Sequence, residues 1–288
     1  MKELSPLIAT SLIPNHRLDV QSQAIKSWLE LGLKVISLNC PDEISQLKTD
    51  FPTVEFVPQE NTGLEITGKP VMFIAEILNY FSSQSTGIVG IVNSDIKLDT
   101  SSATLEMIKQ HSKEAFYFGP RYEVENFETM EGPIDQWGFD YFFFDKSFTS
   151  LWPNHQFCMG MPFWDHWFPL MAILHGKKVS RPTLPLGWHI PHETSRDDSF
   201  FTFNDQFAAL LVDLMNDAKS DPLSKIHQKF GVEFPSQDYL SLRQKVVIAE
   251  MQSAPDAERL AQMEGLANYF DDLTKYVINF IHQNSQMV

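Results

Sequence analysis

The sequence predicts an α/β protein: a doubly wound, mostly parallel sheet flanked by helices, with a helical C-terminal extension. Three observations predict it. Apolar runs of strand length alternate with amphipathic helical periods through the first hundred residues. The run Gly87–Asn93 (GIVGIVN) is apolar almost throughout, as a strand covered on both faces must be. From about Phe203 onward only helical spacing remains. The expected division is therefore residues 1–200 as the α/β unit and 201–288 as the helical extension.

Along the chain, Leu7–Ile13 is an apolar run stopped by Pro14. Val20, Ala24, Trp28 and Leu31 share one helical face, and Gly32 ends it. Lys34–Asn39 (KVISLN) is a second strand, Pro41 opens a short helix carrying Ile44 and Leu47, and Thr53–Val57 is a third strand. Pro70 fits the first turn of a helix whose Ile74, Ile77, Leu78 and Phe81 fall on one face. Leu105 and Ile108 mark a helix and Ala115–Gly119 a strand. A polar stretch punctuated by Gly and Pro then runs from Pro120 to Gly138. Phe139–Asp145 (FDYFFFD) has strong β propensity, Pro162–Leu174 reads as a helix kinked at Pro169, and Val179–Leu184 as a strand. Phe203, Phe207, Leu210, Leu211 and Leu214 form a helical face. Asp221-Pro222 reads as a cap for a helix closed by Gly231. Leu260, Met263, Leu266, Phe270, Leu273, Val277 and Phe280 step by threes and fours. That seam suits the sheet edge, a dimer contact or a partner surface.

Composition narrows the function. With 22 basic and 37 acidic residues the formal charge is −15, and no Lys/Arg cluster breaks the acidic balance. A protein reading nucleic-acid backbones or an anionic membrane surface is not expected. No stretch has the length of a membrane span or of a signal segment with its cleavage site, so a cytoplasmic protein is the expectation. Two cysteines, Cys40 and Cys158, build neither a disulfide framework nor a structural zinc site. The chain also lacks GxxxxGK[ST], GxGxxG after its first strand, and GxSxG. P-loop hydrolysis, dinucleotide oxidoreduction and α/β-hydrolase chemistry lose their signatures. So do the nucleotidyltransferases with a Gly-rich first turn.

Ligands of such sheets bind at the carboxyl ends of the strands, so the residues just beyond each strand are the candidates for chemistry. Asn93-Ser94-Asp95 stands directly after the fourth run. A carboxylate there can hold a divalent cation against a diphosphate; equally, the tripeptide can be an Asx-turn or helix cap. His189 and His192, in GWHIPHE, can supply imidazole ligands or be hydrogen-bonded surface histidines. Asp165, within PFWDHW, sits among aromatics. Burial would raise its pKa and suit it to general-base work, whereas a pairing with His166 or Arg181 would be structural. Trp137, Trp152, Trp164 and Trp167 are candidate sugar platforms or core residues. Asp42 and Glu43 can meet a nucleobase or ribose, or act as first-turn acidic residues of a helix. Lys34, Lys69 and Arg121 read as isolated, solvated charges.

Taken in order, a first strand ending in Ile-Pro, a strand closing in Ser-Leu-Asn, a buried strand ending in Asn-Ser-Asp, a Trp-Asp segment and a late His loop form a series. The series resembles the GT-A glycosyltransferase superfamily, the nucleotide-diphospho-sugar transferases, over about residues 5–195. The resemblance implies a glycosyltransferase that uses a nucleotide-diphosphate sugar donor, an unidentified acceptor hydroxyl and Mn²⁺ or Mg²⁺. It places Asp95 at the metal-contacting end of the family's D-x-D, with Asn93 where the first Asp often stands and therefore near the ribose. It assigns Asp165 to the catalytic carboxylate and His189 or His192 to the late metal-ligating histidine. Pro14 and Asn39 fall where base and ribose are gripped. Two rival readings remain: a nucleotide-binding scaffold on a degenerate GT-A core, and a metal-dependent hydrolase using Asp165, His166, His189 and His192.

Overall fold

The computed structural model describes residues 5–152, 155–192, 199–217, 224–233, 241–242, 244–245 and 255–288. The first half alternates as expected: β1 (Leu7–Thr10), α1 (Leu18–Glu30), β2 (Lys34–Asn39), α2 (Pro41–Leu47), β3 (Glu55–Pro58), α3 (Leu64–Thr67), α4 (Ile74–Ser82) and β4 (Ile88–Val92). It continues through β5 (Lys97–Leu98), α5 (Ser102–Ser112), β6 (Ala115–Gly119), β7 (Arg121–Glu123), β8 (Tyr141–Asp145), α6 (Trp164–Leu174), β9 (Lys178–Arg181) and β10 (Gly187–His189). Helices α7 (Ser199–Asp217), α8 (Ser224–Glu233) and α9 (Asp256–Gln283) precede the last strand, β11 (Gln286–Met287).

Eight strands form one sheet in the order β11-β9-β6-β8-β4-β1-β2-β3. Every neighbour pair is parallel except those made by β8, which runs against both β4 and β6. Side-chain alternation sends successive residues to opposite faces. Leu7, Ala9, Phe142 and Phe144 join the larger core, while Ile8, Tyr141 and Phe143 join the smaller one. Helices α4, α6, α7 and α9 bury their apolar residues in the larger core, and α1 and α5 in the smaller. Gly90, at the centre of β4, is required by packing: a Cβ there would lie 2.6 Å from the Phe142 carbonyl oxygen and 2.8 Å from Ile8 Cδ1.

The larger core is an aromatic slab. Phe116 contacts Phe118, Phe142, Phe144, Trp152 and Phe168, and Trp152 stacks on Phe168 at 4.4 Å between centroids. Trp152, Trp164 and Trp167 are therefore core residues, while Trp137 stays 55% exposed. The helical seam of the C-terminal region joins the same core through Phe270, Leu273, Val277 and Phe280. The side chains of Leu260, Met263 and Leu266 lie outside the described residues.

Several boundaries differ from the sequence reading. Pro70 precedes α4 by four residues, because the chain first makes a bridge between Thr62 and Met72. Helix α8 continues past Gly231 to Glu233. Asp221-Pro222 lies outside the described residues. The strand expected to reach Leu184 ends at Arg181, and the stretch after it, read as a loop, returns as β10. Strands β5, β10 and β7 form a second, three-stranded sheet, with β10 antiparallel to β5 and parallel to β7. Two or three residues per strand are too few for a period to register, and only cross-strand pairing reveals them.

Candidate active site

The carboxyl ends of β4, β7 and β10 meet at one place. After β4 the chain turns at once, the Ile96 amide donating to the Asn93 carbonyl at 3.1 Å. Trp28 on α1, fully buried, fixes this turn by donating its indole N–H to the Ile96 carbonyl at 2.8 Å, and Ser27 Oγ accepts from Leu98. Asp95 is thereby aimed at β10. Register pairs His189 with Glu123 across β10 and β7, and His192 comes from the next loop. The result is a compact set: His189 Nε2 lies 3.2 Å and His192 Nε2 3.5 Å from the same oxygen, Asp95 Oδ2.

One ligand atom from each of Asp95, His189 and His192 lies within 4.8 Å of the others. Burial alone would raise the Asp95 carboxyl. Hydrogen bonds and charge from His189 and His192 outweigh it and hold Asp95 well below the ordinary carboxylate range. Behind His189, Glu123 Oε1 sits 3.3 Å from Nδ1. A carboxylate there orients the ring so that Nε2 faces Asp95, the arrangement that second carboxylates give metal-bound histidines. One carboxylate oxygen and two imidazole nitrogens, with a supporting acid, make a donor set suited to a divalent transition ion.

Arg121 was expected to be solvated and is not. Its Nε donates to Glu123 Oε1 at 2.7 Å, while its terminal nitrogens meet Asp135 at 2.8 Å and Asp140 at 3.1 Å. The physical reason is strand geometry: residues two apart in β7 share a face, and the same face meets the chain returning towards β8. Burial would lower the guanidinium pKa, but Asp140, Glu123 and Asp135 together raise it. Asp140 is buried, which pushes its carboxyl up to about 6; Arg121 and Asn93 pull against that, and Asp165 and Asp95 push further. Lys34, by contrast, stays more than half exposed beside Glu55.

Asn93 and Asp165 are linked through consecutive residues. The Asn93 side chain donates to Asp140 Oδ1 at 2.7 Å and its amide to the Asp140 carbonyl. The preceding Phe139 donates its amide to Asp165 Oδ2 at 3.0 Å. Asp165 stands in the first turn of α6, which begins sharply because Phe163 adopts a left-handed backbone at φ 70. Pro169 lies inside α6 and lacks the N–H that would bond the Asp165 carbonyl. Of the two partners expected for Asp165, the structure supplies His166, whose Nδ1 lies 3.3 Å from Asp165 Oδ1; Arg181 instead binds Ser285.

The expected rise of the Asp165 pKa is corrected. Burial does raise it, but the His166 charge and the Phe139 amide more than compensate, so the net shift is downward. Burial likewise lowers His166, and Asp165 reverses the sign, so His166 is raised. A lowered acid gives stability that is complete above its unfolded value; a raised base gives stability that is complete below its own. The pair therefore stabilises fully between roughly pH 4 and 6.5, losing its effect below as Asp165 protonates and above as His166 deprotonates. His166→Gln is expected to lower Tm by about 3 °C near pH 5.5, and by less once the pH passes the raised value, in melts across that range.

The remaining residues lie at the ends of β1 and β2. Pro14 is half-buried and Asp42 exposed. Asn39 is fully buried, its side-chain amide donating to the Leu12 carbonyl at 2.8 Å and Glu43 at 2.9 Å. It fixes the neighbouring chain and has no free face towards solvent.

No protein-family model and no curated protein matches the sequence. Solved structures do. S. aureus TarS 1-349 aligns over 97% of this chain and 92% of its own, with TM-score 0.50 and 12% identity. Against the longer S. aureus TarS the TM-score is again 0.50, at 11% identity, over 96% of this chain and 55% of the other. The chain thus spans about half the length of that protein. A 4-diphosphocytidyl-2C-methyl-D-erythritol synthase from Anaerococcus prevotii DSM 20548 covers 69% of this chain and 94% of its own, at TM-score 0.43 and 10% identity. The fold is GT-A-like. The Asp95 cluster stands beyond the carboxyl end of β4, beside the small sheet. No helix among the described residues is long and apolar enough to cross a membrane.

Proposed function

We propose that the protein is a glycosyltransferase that moves a sugar from a nucleoside-diphosphate donor to an acceptor hydroxyl with the help of Mn²⁺ or Mg²⁺. The observation that carries this reading is the convergence of Asp95, His189 and His192 beyond the carboxyl end of β4 in a GT-A-like fold. Asp95, His189 and His192 would hold the ion. When bound, it would neutralise the donor's diphosphate and so favour departure of the nucleotide. Two imidazoles in the set favour Mn²⁺ over Mg²⁺, which prefers oxygen alone.

The chain's own groups would do the rest. Pro14 and Asp42 flank the ends of β1 and β2, where base and ribose would lie. Asn39 would act on that subsite through Glu43. Asn93, held by Asp140, would present its free amide oxygen near the ribose. In an inverting reaction the acceptor oxygen bonds to the anomeric carbon as the bond from that carbon to the phosphate oxygen breaks. The acceptor proton passes to the Asp165 carboxylate, and the electron pair leaves with the nucleoside diphosphate.

Isothermal titration of the full chain with UDP, GDP, ADP and CDP, with and without Mn²⁺, tests the reading. At least one diphosphate is expected to bind more than tenfold tighter with Mn²⁺ present. Metal-independent binding throughout, or none, would overturn it. Tight binding without even slow donor hydrolysis would favour the scaffold reading.

Glu123 gives a second test. Glu123→Ala removes the group that orients His189, so Mn²⁺ affinity is expected to fall about 10- to 100-fold while the melting curve stays cooperative. Titration of the ion by electron paramagnetic resonance reads this directly, and an unchanged affinity would remove Glu123 from the site.

A further inference from the structure

Arg17 lies in the loop between β1 and α1 and has a left-handed backbone, φ 44 and ψ 44. Asn15 in the same loop has φ 57. The loop is nonetheless firmly held. Gln21, buried, accepts from the Ile13 amide and donates to the carbonyls of Ile13 and His16. This clamp carries the Arg17 guanidinium to the cation cluster, 173 residues along the chain from its anchor: one terminal nitrogen donates to the Ile190 carbonyl at 2.7 Å.

The other terminal nitrogen, Nη1, is the informative one. It is buried, makes no hydrogen bond among the described residues, and lies 3.9 Å from Asp95 Oδ2, the oxygen that also faces both histidines. A buried guanidinium N–H without an acceptor is unfavourable, and so is a fixed positive charge beside a site for a divalent cation. An anion arriving with the metal removes both difficulties. Its oxygen accepts from Nη1, and its charge screens the guanidinium from the ion. The fixed fork of arginine matches phosphate oxygens better than any other side chain.

We infer that Arg17 is a binding residue for the diphosphate of the donor, its Nη1 donating to a phosphate oxygen beside Asp95. The inference rests on the reading of this cluster as a metal–diphosphate site. It has a consequence of its own. Arg17 opposes the bare ion and favours the ion–diphosphate pair, so metal and diphosphate bind cooperatively, each raising the affinity for the other by the same factor.

Titrations of full-length wild type, Arg17→Met and Arg17→Lys test it, using Mn²⁺ alone, inorganic pyrophosphate with Mn²⁺, and the tightest-binding nucleoside diphosphate with Mn²⁺. Arg17→Met is expected to bind bare Mn²⁺ as tightly as wild type or a few-fold tighter, and to lose at least 30-fold in diphosphate affinity. Loss for pyrophosphate and nucleotide alike locates the contact on phosphate; loss for the nucleotide alone would place Arg17 on base or ribose and overturn the inference. So would a folded Arg17→Met with wild-type diphosphate affinity, or one that loses bare Mn²⁺ as Asp95→Ala should. Should Arg17→Met fail to fold, Arg17→Lys decides: about a tenfold loss of diphosphate with Mn²⁺ unchanged supports the inference, and unchanged diphosphate affinity overturns it. A wild type that binds neither Mn²⁺ nor diphosphate sinks the site reading itself. A wild type that binds both while Arg17→Met matches it sinks only the role of Arg17.

Discussion

Asp95→Ala is expected to abolish metal-dependent binding of nucleoside diphosphates, lowering affinity by at least 100-fold and transfer by more. Asp95 supplies the anionic member of the set, and both imidazoles converge on its Oδ2. Without it the site keeps two imidazole nitrogens and gains the full repulsion of Arg17, which stands 3.9 Å from the lost oxygen. The loss should exceed that of either histidine alone, because removing the carboxylate changes the charge of the site by a full unit in a partly buried setting. Asp95→Asn separates charge from shape. It keeps an oxygen at the same place, and affinity for Mn²⁺ should still fall by more than tenfold. Titration calorimetry with Mn²⁺ and a nucleoside diphosphate reads both variants; wild-type affinity in Asp95→Ala would remove the metal from this cluster.

The larger elements of this fold were legible because their signals are local. KVISLN forms β2 from Lys34 to Asn39, AFYFG forms β6, and the stripe through Ile74 and Phe81 forms α4. Their apolar periods reflect burial that each segment undergoes wherever it lands. The candidate site was legible in part, because Asp95, His189 and His192 are chemically distinctive and fall after strands. The sequence could not show that both histidines face one oxygen, since that depends on β10, a three-residue strand paired with β7 and β5. Arg121 and Glu123 did leave a trace, two opposite charges at period two in RYE, but nothing local marked that stretch as a strand. Arg17 left none. Its partners Asp95 and Ile190 are brought to it only by the assembled fold. The aromatic ambiguity of the middle third had the same origin: three of its four tryptophans fill the slab under β6 and β8, and only Trp137 remains exposed. The direction of the Asp165 shift is not legible in the sequence, because burial alone raises it and only the folded contact with the His166 charge reverses the sign.

Asp165→Asn should leave donor binding within about twofold of wild type and reduce kcat by about 10²- to 10⁴-fold. The substitution is close to isosteric. An amide oxygen can still accept from Phe139, so the start of α6 and the link through Asp140 to Asn93 should persist. What disappears is the capacity to receive the acceptor proton. The pH dependence distinguishes this role from a structural one. Because His166 and the Phe139 amide hold Asp165 below its ordinary 3.8, the carboxylate is ionised and competent throughout neutral pH, and its acid limb should fall below pH 4. In Asp165→Asn that limb should vanish while the residual rate stays flat. A structural role would instead lower Tm and donor affinity together and leave the limb in place. In a single displacement with Asp165 as the acceptor's base, the oxygen reaches the face opposite the departing phosphate, and the product should carry the inverted anomeric configuration. Proton NMR of the first-formed product reads it, and a retained configuration would rule out a single displacement with Asp165 as the acceptor's base.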